Sequence, residues 1–320
     1  MKEMPEVDVS INTVGEQRLI FPCLESLYKT HKGKINTFIT LDCVPEKIAR
    51  KIKSRFFNAN IIKEENKSFA EKHNYVMEKT HNKYILILSD DVKILGNALS
   101  KLIEYMENHP NVGMVNPRLL NKDLSLQQCT YSYPDLFKAS LHFFGIRELI
   151  PFNKVTYKLA SLFYKKGESR FWNHDKTCEV DNVKGVFMLV RRKAIEEVGL
   201  MDEVTSVYGE ETEWQYRFNK KGWKIIFYPG AEVIHYGQQT NKKQPSTIRE
   251  GEIKGTLNFF KKHKPPFQYL LLRFIIVTSS FLKCLFYLII FKKDLASSQL
   301  KNINSALYPE RFLKGKRIFY

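Results

Sequence analysis

The chain has 320 residues, 43% of them hydrophobic, which is enough to bury the core of one moderate domain with an appendage and excludes a disordered chain. Its 51 Lys and Arg residues exceed its 34 Asp and Glu residues by 17, which favours an anionic partner such as nucleic acid, anionic lipid or a phosphorylated substrate. The five cysteines have no CxxC spacing, which argues against a disulfide framework or a zinc site and favours a reducing compartment. Residues 1–15 lack the apolar segment of a secretion signal, so we expect a cytoplasmic protein.

The first 90 residues alternate between short apolar strands and helices. Strands are predicted at residues 7–14, 35–42, 59–66 and 83–90, and helices at 16–33, 45–56 and 69–80. Strands that alternate with helices of this length predict βαβ units, and therefore an α/β fold with a parallel sheet. Ligand sites of such sheets lie beyond the carboxyl ends of the strands, the position of Thr13, Asp42, Asp90 and Asp91.

Two adjacent carboxylates, Asp90 and Asp91, follow the apolar run YILIL at residues 84–88. Because a buried carboxylate without a partner is costly, this pair needs a cation or a hydrogen-bond donor. Oxygen ligands suit Mg²⁺ or Mn²⁺, which proteins commonly bind together with substrate phosphates. Alternatively, one aspartate caps a helix predicted around residues 97–108. The residues alone leave both interpretations open.

The second half carries further features that sequence alone leaves open between a structural and a functional role. Three glutamates, Glu210, Glu211 and Glu213, precede a predicted helix, where the helix dipole stabilises negative charge even without catalysis. His235 ends a late strand after a predicted turn at YPGA (228–231), and a lone histidine there is more often structural than a ligand.

Gly185 in the segment VKGV permits a close approach of the backbone to another group. Arg191 and Arg192 follow it at the start of a predicted helix. They could contact phosphate, or they could simply be solvated.

Eight segments in register resemble the family 2 glycosyltransferases of the GT-A fold, over about residues 7–237. They include VDVSINTVGEQRLIFPCLESL, Asp42, NKSFAEKHN, SDDV, DNVKGVFMLVRRKAIEEVGLMDE, and the run from YGEETEW to HYGQQT. The string PNVGMVNPRLLNKDLSLQQ (110–128) is similar to the rhamnosyltransferase-like branch. The chain departs from the family at Ser68, where Gly is usual, at Ser89, where an acidic residue or Asn is frequent, and at Glu211, where the family has Asp.

The resemblance implies a Rossmann-like GT-A domain at residues 1–240, with a mostly parallel sheet flanked by helices. Its donor half would be about 1–125 and its acceptor half about 126–240, followed by an amphipathic helical extension at 241–320. The implied activity is metal-dependent, inverting sugar transfer from a nucleotide sugar, with dTDP-rhamnose or a similar donor as the first trial. The implied acceptor is a saccharide, lipid-linked, in cell-surface polysaccharide synthesis.

The resemblance also implies roles for residues at the matching positions. Glu211 or Glu210 would be the general base, with Glu213 a more distant candidate. Asp91 and His235 would hold Mg²⁺ or Mn²⁺, and Gly185 and Trp214 would lie on the acceptor side. The expected donor-binding residues are Thr13, Val14, Glu16, Asp42, Lys72, Asn74, Ser89, Asp90 and Asp91.

Residues 267–291 are long and apolar enough to span a bilayer but contain Arg273 and Lys283. At helical spacing these two fall on one side with Ser280 and Tyr287, which predicts a helix lying in the membrane interface. Basic clusters flank the segment and favour an anionic membrane surface: Lys261, Lys262, Lys264, Lys292 and Lys293. We therefore expect peripheral association with the inner face of the cell membrane, the alternative being a helix buried against the catalytic domain.

A second aromatic and basic segment, residues 136–166, is predicted to be an acceptor lid or a plain helical insertion. Other classes remain as alternatives. A basic α/β nucleic-acid-binding protein would use the charge, but no helix-turn-helix, zinc-finger or RNP-like motif is present, so nucleic acid is not the expected partner. A nucleotidyltransferase would need a Gly-rich loop after the first strand, which has only Gly15. A transferase that has lost catalysis is a third alternative, raised by Ser89 and Glu211.

Overall fold

The structure is a computed structural model that describes residues 5–31, 33–64, 67–146, 174–204, 209–237 and 245–309. The predicted alternation of strands and helices is observed in the first quarter of the chain. Its elements are β1 (Val7–Thr13), α1 (Gln17–Thr30), β2 (Ile35–Leu41), α2 (Glu46–Arg55), β3 (Asn60–Lys63), α3 (Phe69–Lys79) and β4 (Tyr84–Ser89).

The described elements that follow are mixed in type. They are β5 (Val92–Ile94), α4 (Ala98–Asn108), β6 (Val112–Leu120), β7 (Thr130–Tyr131), α5 (Leu136–Phe144), β8 (Cys178–Glu179), β9 (Asn182–Val183), β10 (Phe187–Arg191), α6 (Arg192–Val198), α7 (Glu210–Lys220), β11 (Lys224–His235), α8 (Pro245–His263), α9 (Pro266–Ile289) and α10 (Lys293–Leu307).

The main sheet has the strand order β3-β2-β1-β4-β10-β6-β11-β5, with β8 also paired to β11. Strands β3, β2, β1 and β4 are parallel, so their carboxyl ends meet at one edge. Strand β10 runs antiparallel to both β4 and β6, and β11 is parallel to β6. The short strands β5 and β8 are antiparallel to β11, while β7 and β9 form a separate two-stranded ladder.

Buried apolar residues explain why the central strands form where they do. Every residue of Tyr84–Leu88 in β4 is buried, as are Val7, Val9 and Ile11 of β1, because helices cover both faces of a parallel sheet. Helix α3 begins with a capping box between Ser68 and Glu71, in which each side chain binds the other's backbone N–H. The serine that replaces the family's usual glycine therefore starts this helix.

Two local expectations from the sequence are wrong. Neither Asp90 nor Asp91 caps a helix, because strand β5 follows them and the residue before α4 is Asn97. The segment 228–231 is not a turn between strands, because β11 continues through it and pairs with β6 on both sides of a register shift between Tyr228 and Glu232. Pro229 lacks the N–H that a ladder needs, so the strand bulges there and then resumes.

The three C-terminal helices form a second apolar cluster together with α5. Its buried members are Ala139, Phe143, Ile253, Leu257, Phe259, Phe260, Leu272, Ile276 and Ala306. The start of the predicted 136–166 segment is thus a helix that packs on the C-terminal region, and residues 147–166 lie outside the described residues. Among the described residues, Pro266–Ile289 is the helix that is long and apolar enough to cross a membrane, judged by length and composition.

Candidate active site

The carboxyl ends of β1 and β4 bring Thr13 and Asp90 into contact. Thr13 Oγ1 donates to Asp90 Oδ2 at 2.5 Å and accepts the backbone N–H of Gly15 at 3.0 Å. Gly15 has a φ of +81°, and a Cβ there would lie 2.7 Å from Val44 Cγ1, so this turn requires glycine. Val14, between them, is exposed at the mouth of the crevice.

The Asp90 carboxyl is held in an environment that resists its ionisation. Burial raises the pKa of Asp90 to about 7, the Thr13 hydrogen bond opposes this, and the negative charges of Asp91 and Glu16 add to it. A cation placed beside this carboxyl would favour its ionised form. The strand end is therefore built to receive positive charge.

Asp91 and His235 come together because β11 pairs antiparallel with β5, which places His235 opposite Val92. His235 Nε2 lies 3.2 Å from Asp91 Oδ2, and Ser89 Oγ donates to Asp91 Oδ1 at 2.5 Å. Burial acts to raise the pKa of Asp91, but His235 and Ser89 outweigh it and hold that pKa below its ordinary value. A Cβ on Gly237 would lie 2.3 Å from His235 Cε1, so the chain passes closely over the imidazole.

The residues around His235 suit a divalent cation. Its Nδ1 lies 2.5 Å from Gln127 Oε1, and when that oxygen accepts the Nδ1 proton, the Nε2 lone pair faces Asp91. No group of three His, Cys, Asp or Glu side chains that could hold a metal is found among the described residues. Two protein ligands completed by substrate phosphates and water are a common arrangement for such ions, so the pair fits a cation that binds together with a diphosphate.

Asp42 and Lys72 form an ion pair beside Thr13. The Asp42 carboxylate contacts Lys72 Nζ, and the Asp42 backbone N–H donates to the Thr13 carbonyl at 3.0 Å. Asn74, on the same helix, is not brought to this cluster. Its amide donates to the Met201 carbonyl at 2.9 Å and to Glu203 Oε1 at 2.8 Å, so it holds the segment after α6.

Glu211 lies in the first turn of α7, beside the loop at Gly185. A Cβ on Gly185 would be 3.5 Å from Glu211 Cγ, and the N–H of Gly209 donates to Glu211 Oε2 at 3.2 Å. Burial raises the pKa of Glu211, while the backbone N–H groups and the positive charge of Lys184 act against the rise. The helix begins at Glu210, so the acidic residues belong to its first turn rather than preceding it.

The other two glutamates of this turn have different surroundings. Glu213 is buried, and its two oxygens share one bifurcated hydrogen bond from Arg217 Nε, at 3.1 and 3.0 Å; His263 Nε2 lies 2.9 Å from one of them. Glu213 therefore joins α7 to α8. Glu210 is buried in the same turn.

Two expectations for this region are corrected by burial. Trp214 is fully buried and donates its indole N–H to the Gly199 carbonyl at 2.8 Å, so it has no surface left for an acceptor and is a core residue. Arg191 and Arg192 neither face phosphate nor lie in solvent. Arg191 donates to the carbonyls of Val112 and Met106, and Arg192 donates to the Met77 carbonyl and the Thr80 hydroxyl.

Three residues that sequence reasoning missed organise the site: Lys184, Gln127 and Gln215. Lys184 interacts electrostatically with both Asp91 and Glu211, and burial lowers its pKa against the pull of these carboxylates. Gln215 of α7 binds both the N–H and the carbonyl of Val183, at 2.7 and 2.9 Å, and so holds the loop that carries Lys184. Lys184 directly precedes Gly185, and that adjacency was the signal available in the sequence.

A cavity of about 340 Å³ lies beside the first turns of α1. It reaches Tyr236, whose backbone N–H donates to the Asp91 carbonyl at 2.9 Å. Glu16, expected to bind the donor, lies on its wall. The residues that line it are Glu16, Arg18, Leu19, Pro22, Lys122 and Tyr236.

The sheet is mostly parallel, with β10 antiparallel to its neighbours and two carboxylates just beyond β4, as expected for a GT-A fold. Comparison with solved structures confirms this prediction. One similar structure is that of GalNAc-T7 with UDP, GalNAc and Mn²⁺ (TM-score 0.55, 14% identity, covering 82% of this chain and 48% of that chain). Another is that of the mannosyltransferase PcManGT from Pyrobaculum calidifontis in complex with GDP-Man and Mn²⁺ (TM-score 0.54, 12% identity, covering 98% of this chain and 77% of that chain). At these identities the likeness concerns the fold.

Residues 5–250 match the family described as "Glycosyltransferase like family 2", and the chain belongs to that family, as the resemblance predicted. It is 23% identical over 176 residues to the N-acetylglucosaminyl-diphospho-decaprenol L-rhamnosyltransferase of Mycobacterium tuberculosis. The aligned region covers 55% of this chain and 54% of the relative. It is 29% identical over 103 residues to the glucans biosynthesis glucosyltransferase H of Klebsiella pneumoniae, an alignment that covers 30% of this chain and 10% of that protein. The match thus spans about half the length of the mycobacterial relative.

Proposed function

We propose that this protein is a metal-dependent, inverting glycosyltransferase that moves a sugar from a nucleotide-sugar donor to a saccharide acceptor. The observation that carries the proposal is the loop at Lys184 and Gly185: Gly185 lies against Glu211, and Lys184 interacts electrostatically with both Glu211 and Asp91. This loop links a candidate cation site to a partly buried carboxylate. Sugar transfer needs these two chemical functions side by side.

The donor lies across the carboxyl ends of β1, β2 and β4. Thr13, Asp42 and Lys72 contact the nucleoside, and its diphosphate meets the cation site at Asp91 and His235. Asp91 and His235 would hold the cation, which would supply positive charge to the departing nucleoside diphosphate. An imidazole beside a carboxylate favours a transition ion such as Mn²⁺ over Mg²⁺, which prefers oxygen ligands alone.

Glu211 acts as the general base, taking the proton from the acceptor hydroxyl that attacks the anomeric carbon. Its position against Gly185, the residue expected on the acceptor side, supports this role over Glu210. The ammonium of Lys184 favours the ionised form of Glu211. A single displacement inverts the anomeric configuration and needs no covalent intermediate.

The acceptor is a lipid-linked saccharide used in building a cell-surface polysaccharide, and the enzyme works at the cytoplasmic face of the membrane. The printed name of the mycobacterial relative, a decaprenol-linked rhamnosyltransferase, supports this acceptor class and makes dTDP-rhamnose the first donor to test. The net charge of +17 and the exposed apolar side chains of α9 support work at an anionic lipid surface.

A thermal-shift panel of nucleotide sugars, run with Mn²⁺, with Mg²⁺ and with EDTA, tests this function. We expect one nucleotide class to raise the melting temperature only with a divalent cation, because a ligand that binds the folded state alone stabilises it. Asp91→Ala should abolish that response, while Asp294→Ala on the distant helix α10 should keep it. If no donor responds and the protein instead binds DNA in a salt-sensitive way, the nucleic-acid alternative replaces the transferase.

A further inference from the structure

Helix α9 carries its polar residues on the side that faces the protein. Arg273 donates to the carbonyls of Ala306 and Leu307 at 2.8 Å each, at the end of α10. Lys283 Nζ donates to the Phe143 carbonyl of α5 at 2.7 Å. Ser280 is buried on the same side. The predicted polar side of this helix is real, but protein contacts occupy it.

The opposite side of α9 is apolar and open. Its residues recur at intervals of three, four or seven, so they form one stripe, here called the outer face. Their exposed fractions run from 43% to 73%, and they are Phe267, Leu270, Phe274, Phe281, Leu285 and Ile289. A helix on a soluble surface normally has the reverse arrangement, and a continuous exposed apolar patch indicates an interaction site.

We infer that the outer face of α9 lies on an anionic lipid bilayer, with the helix axis parallel to the membrane plane. The inference deepens the membrane association in the proposed function and rests on it for its biological purpose. It depends on no property of the donor site.

Charge at both ends of α9 identifies the partner as anionic lipid. Lys261 precedes the helix, Lys292 and Lys293 follow it, and all three are exposed. Lys262 is not part of this charge, because it pairs with Asp202 at 2.6 Å. Positive charge at both ends binds one anionic surface only when both ends lie on the same side of it.

A membrane-crossing helix would need different contacts. To cross, α9 would have to leave α5 and α10, and Arg273 and Lys283 would then enter hydrocarbon without their carbonyl partners. An in-plane helix keeps both sets of contacts and buries the outer face in the lipid interface.

Helix α9, which carries the outer face, is connected through α8 to the first turn of α7, which carries Glu211. A Cβ on Gly209, the residue before α7, would lie 2.7 Å from Gly255 Cα, so α8 crosses the start of α7 at close range. His263 of α8 contacts Glu213 at 2.9 Å. Helices α8 and α9 pack together in the second apolar cluster, so seating α9 on a bilayer would also hold the first turn of α7, which carries Glu211, at a fixed position relative to the membrane.

Vesicle flotation measures the docking. Wild-type protein should float with vesicles of phosphatidylcholine and phosphatidylglycerol and bind pure phosphatidylcholine more weakly. The double variant Phe274→Ser/Phe281→Ser should lose binding by on the order of tenfold or more, because it removes apolar groups from the interface. Phe57→Ser is the matched control, since Phe57 is 73% exposed at a distant site, and it should bind as wild type. Lys292→Glu/Lys293→Glu should weaken binding to the anionic vesicles only.

Depth measurements decide the orientation. Tryptophan placed singly at Phe267, Phe281 or Ile289 should be quenched by brominated lipids at one common depth, whereas graded depths along the helix would mean that α9 spans the bilayer and would overturn the inference. Wild-type protein that floats with neither kind of vesicle would also overturn the inference. A lipid-free dimer that dissociates in Phe274→Ser/Phe281→Ser would overturn it as well, since a second copy would then cover the outer face.

Nucleotide-sugar thermal shifts on the same variants separate the two proposals. Donor responses should stay at wild-type level in the double variant, which also shows that it is folded. Vesicle binding without any donor response would support the membrane contact of the outer face and refute the proposed glycosyltransferase function.

Discussion

The proposed donor side and the proposed acceptor side of the site are built in different ways. The donor side assembles around strand ends, where Asp91 is fixed by Ser89 and His235 through side-chain contacts. The acceptor side depends on backbone shape, because Glu211 is held by the Gly209 N–H and lies against Gly185. Damage to the donor side should therefore appear in binding, and damage to the acceptor side in turnover.

Glu211→Gln should have the largest effect. We expect turnover to fall about 10² to 10⁴-fold, the range for loss of a general base, while donor affinity is retained. The measurement pairs steady-state kinetics with donor calorimetry. Glu210→Gln is the neighbouring control and should retain most turnover; if the two variants exchanged behaviour, Glu210 would be the base.

Gln127→Ala tests the donor side. Gln127 orients the His235 ring, so its removal should weaken Mn²⁺ binding about 10 to 100-fold, the usual cost of losing such a partner. Turnover at saturating Mn²⁺ should recover. If added metal did not restore turnover, Gln127 would not act through the cation, and its role would belong to the proposed acceptor side.

Lys184→Met tests the group between the two sides through pH dependence. Glu211 must be ionised to act as a base, so the rate falls as the pH drops through its pKa, which burial has raised. Loss of the Lys184 charge raises that pKa further, and the acid limb of the kcat/KM profile should move to higher pH. The exposed Lys93→Met is the control, and an unmoved limb in Lys184→Met would refute the coupling.

Gly209→Ala should affect stability more than chemistry. Gly209 has a φ of +103°, and a Cβ there would lie 2.7 Å from Gly255 Cα. Gly222 also has a positive φ, +84°, but a Cβ there would meet open space. Gly222→Ala should cost about 1 kcal/mol through backbone strain, and Gly209→Ala about 1–3 kcal/mol more through overpacking. Equal losses in urea unfolding would mean that α8 is not tightly seated on α7.

Local patterns predicted the first four strands and the first three helices well. Strands β1 to β4 and helices α1 to α3 follow directly from apolar periodicity, and the resemblance to the family supplied the fold. Contacts between distant segments were out of reach, because Gln127 acquires its role only when β11 brings His235 beside it. Burial was equally hidden, and Trp214 therefore looked like an acceptor contact although it is a core residue.

The same limit applies to α9. Helical spacing placed Arg273 and Lys283 on one side, as the structure confirms. Spacing contains no information about which side meets the protein, because that depends on carbonyl groups at Phe143, Ala306 and Leu307 that local sequence does not bring near.

The most direct test of the account is electron paramagnetic resonance of Mn²⁺ bound together with the donor that the thermal-shift panel identifies. The account predicts nitrogen coupling from the His235 imidazole, present in wild-type protein, absent in His235→Asn, and lost with all bound Mn²⁺ in Asp91→Ala. Donor binding with no bound Mn²⁺, or bound Mn²⁺ whose spectrum is the same in His235→Asn, would contradict it and leave His235 as a hydrogen-bond partner of Asp91.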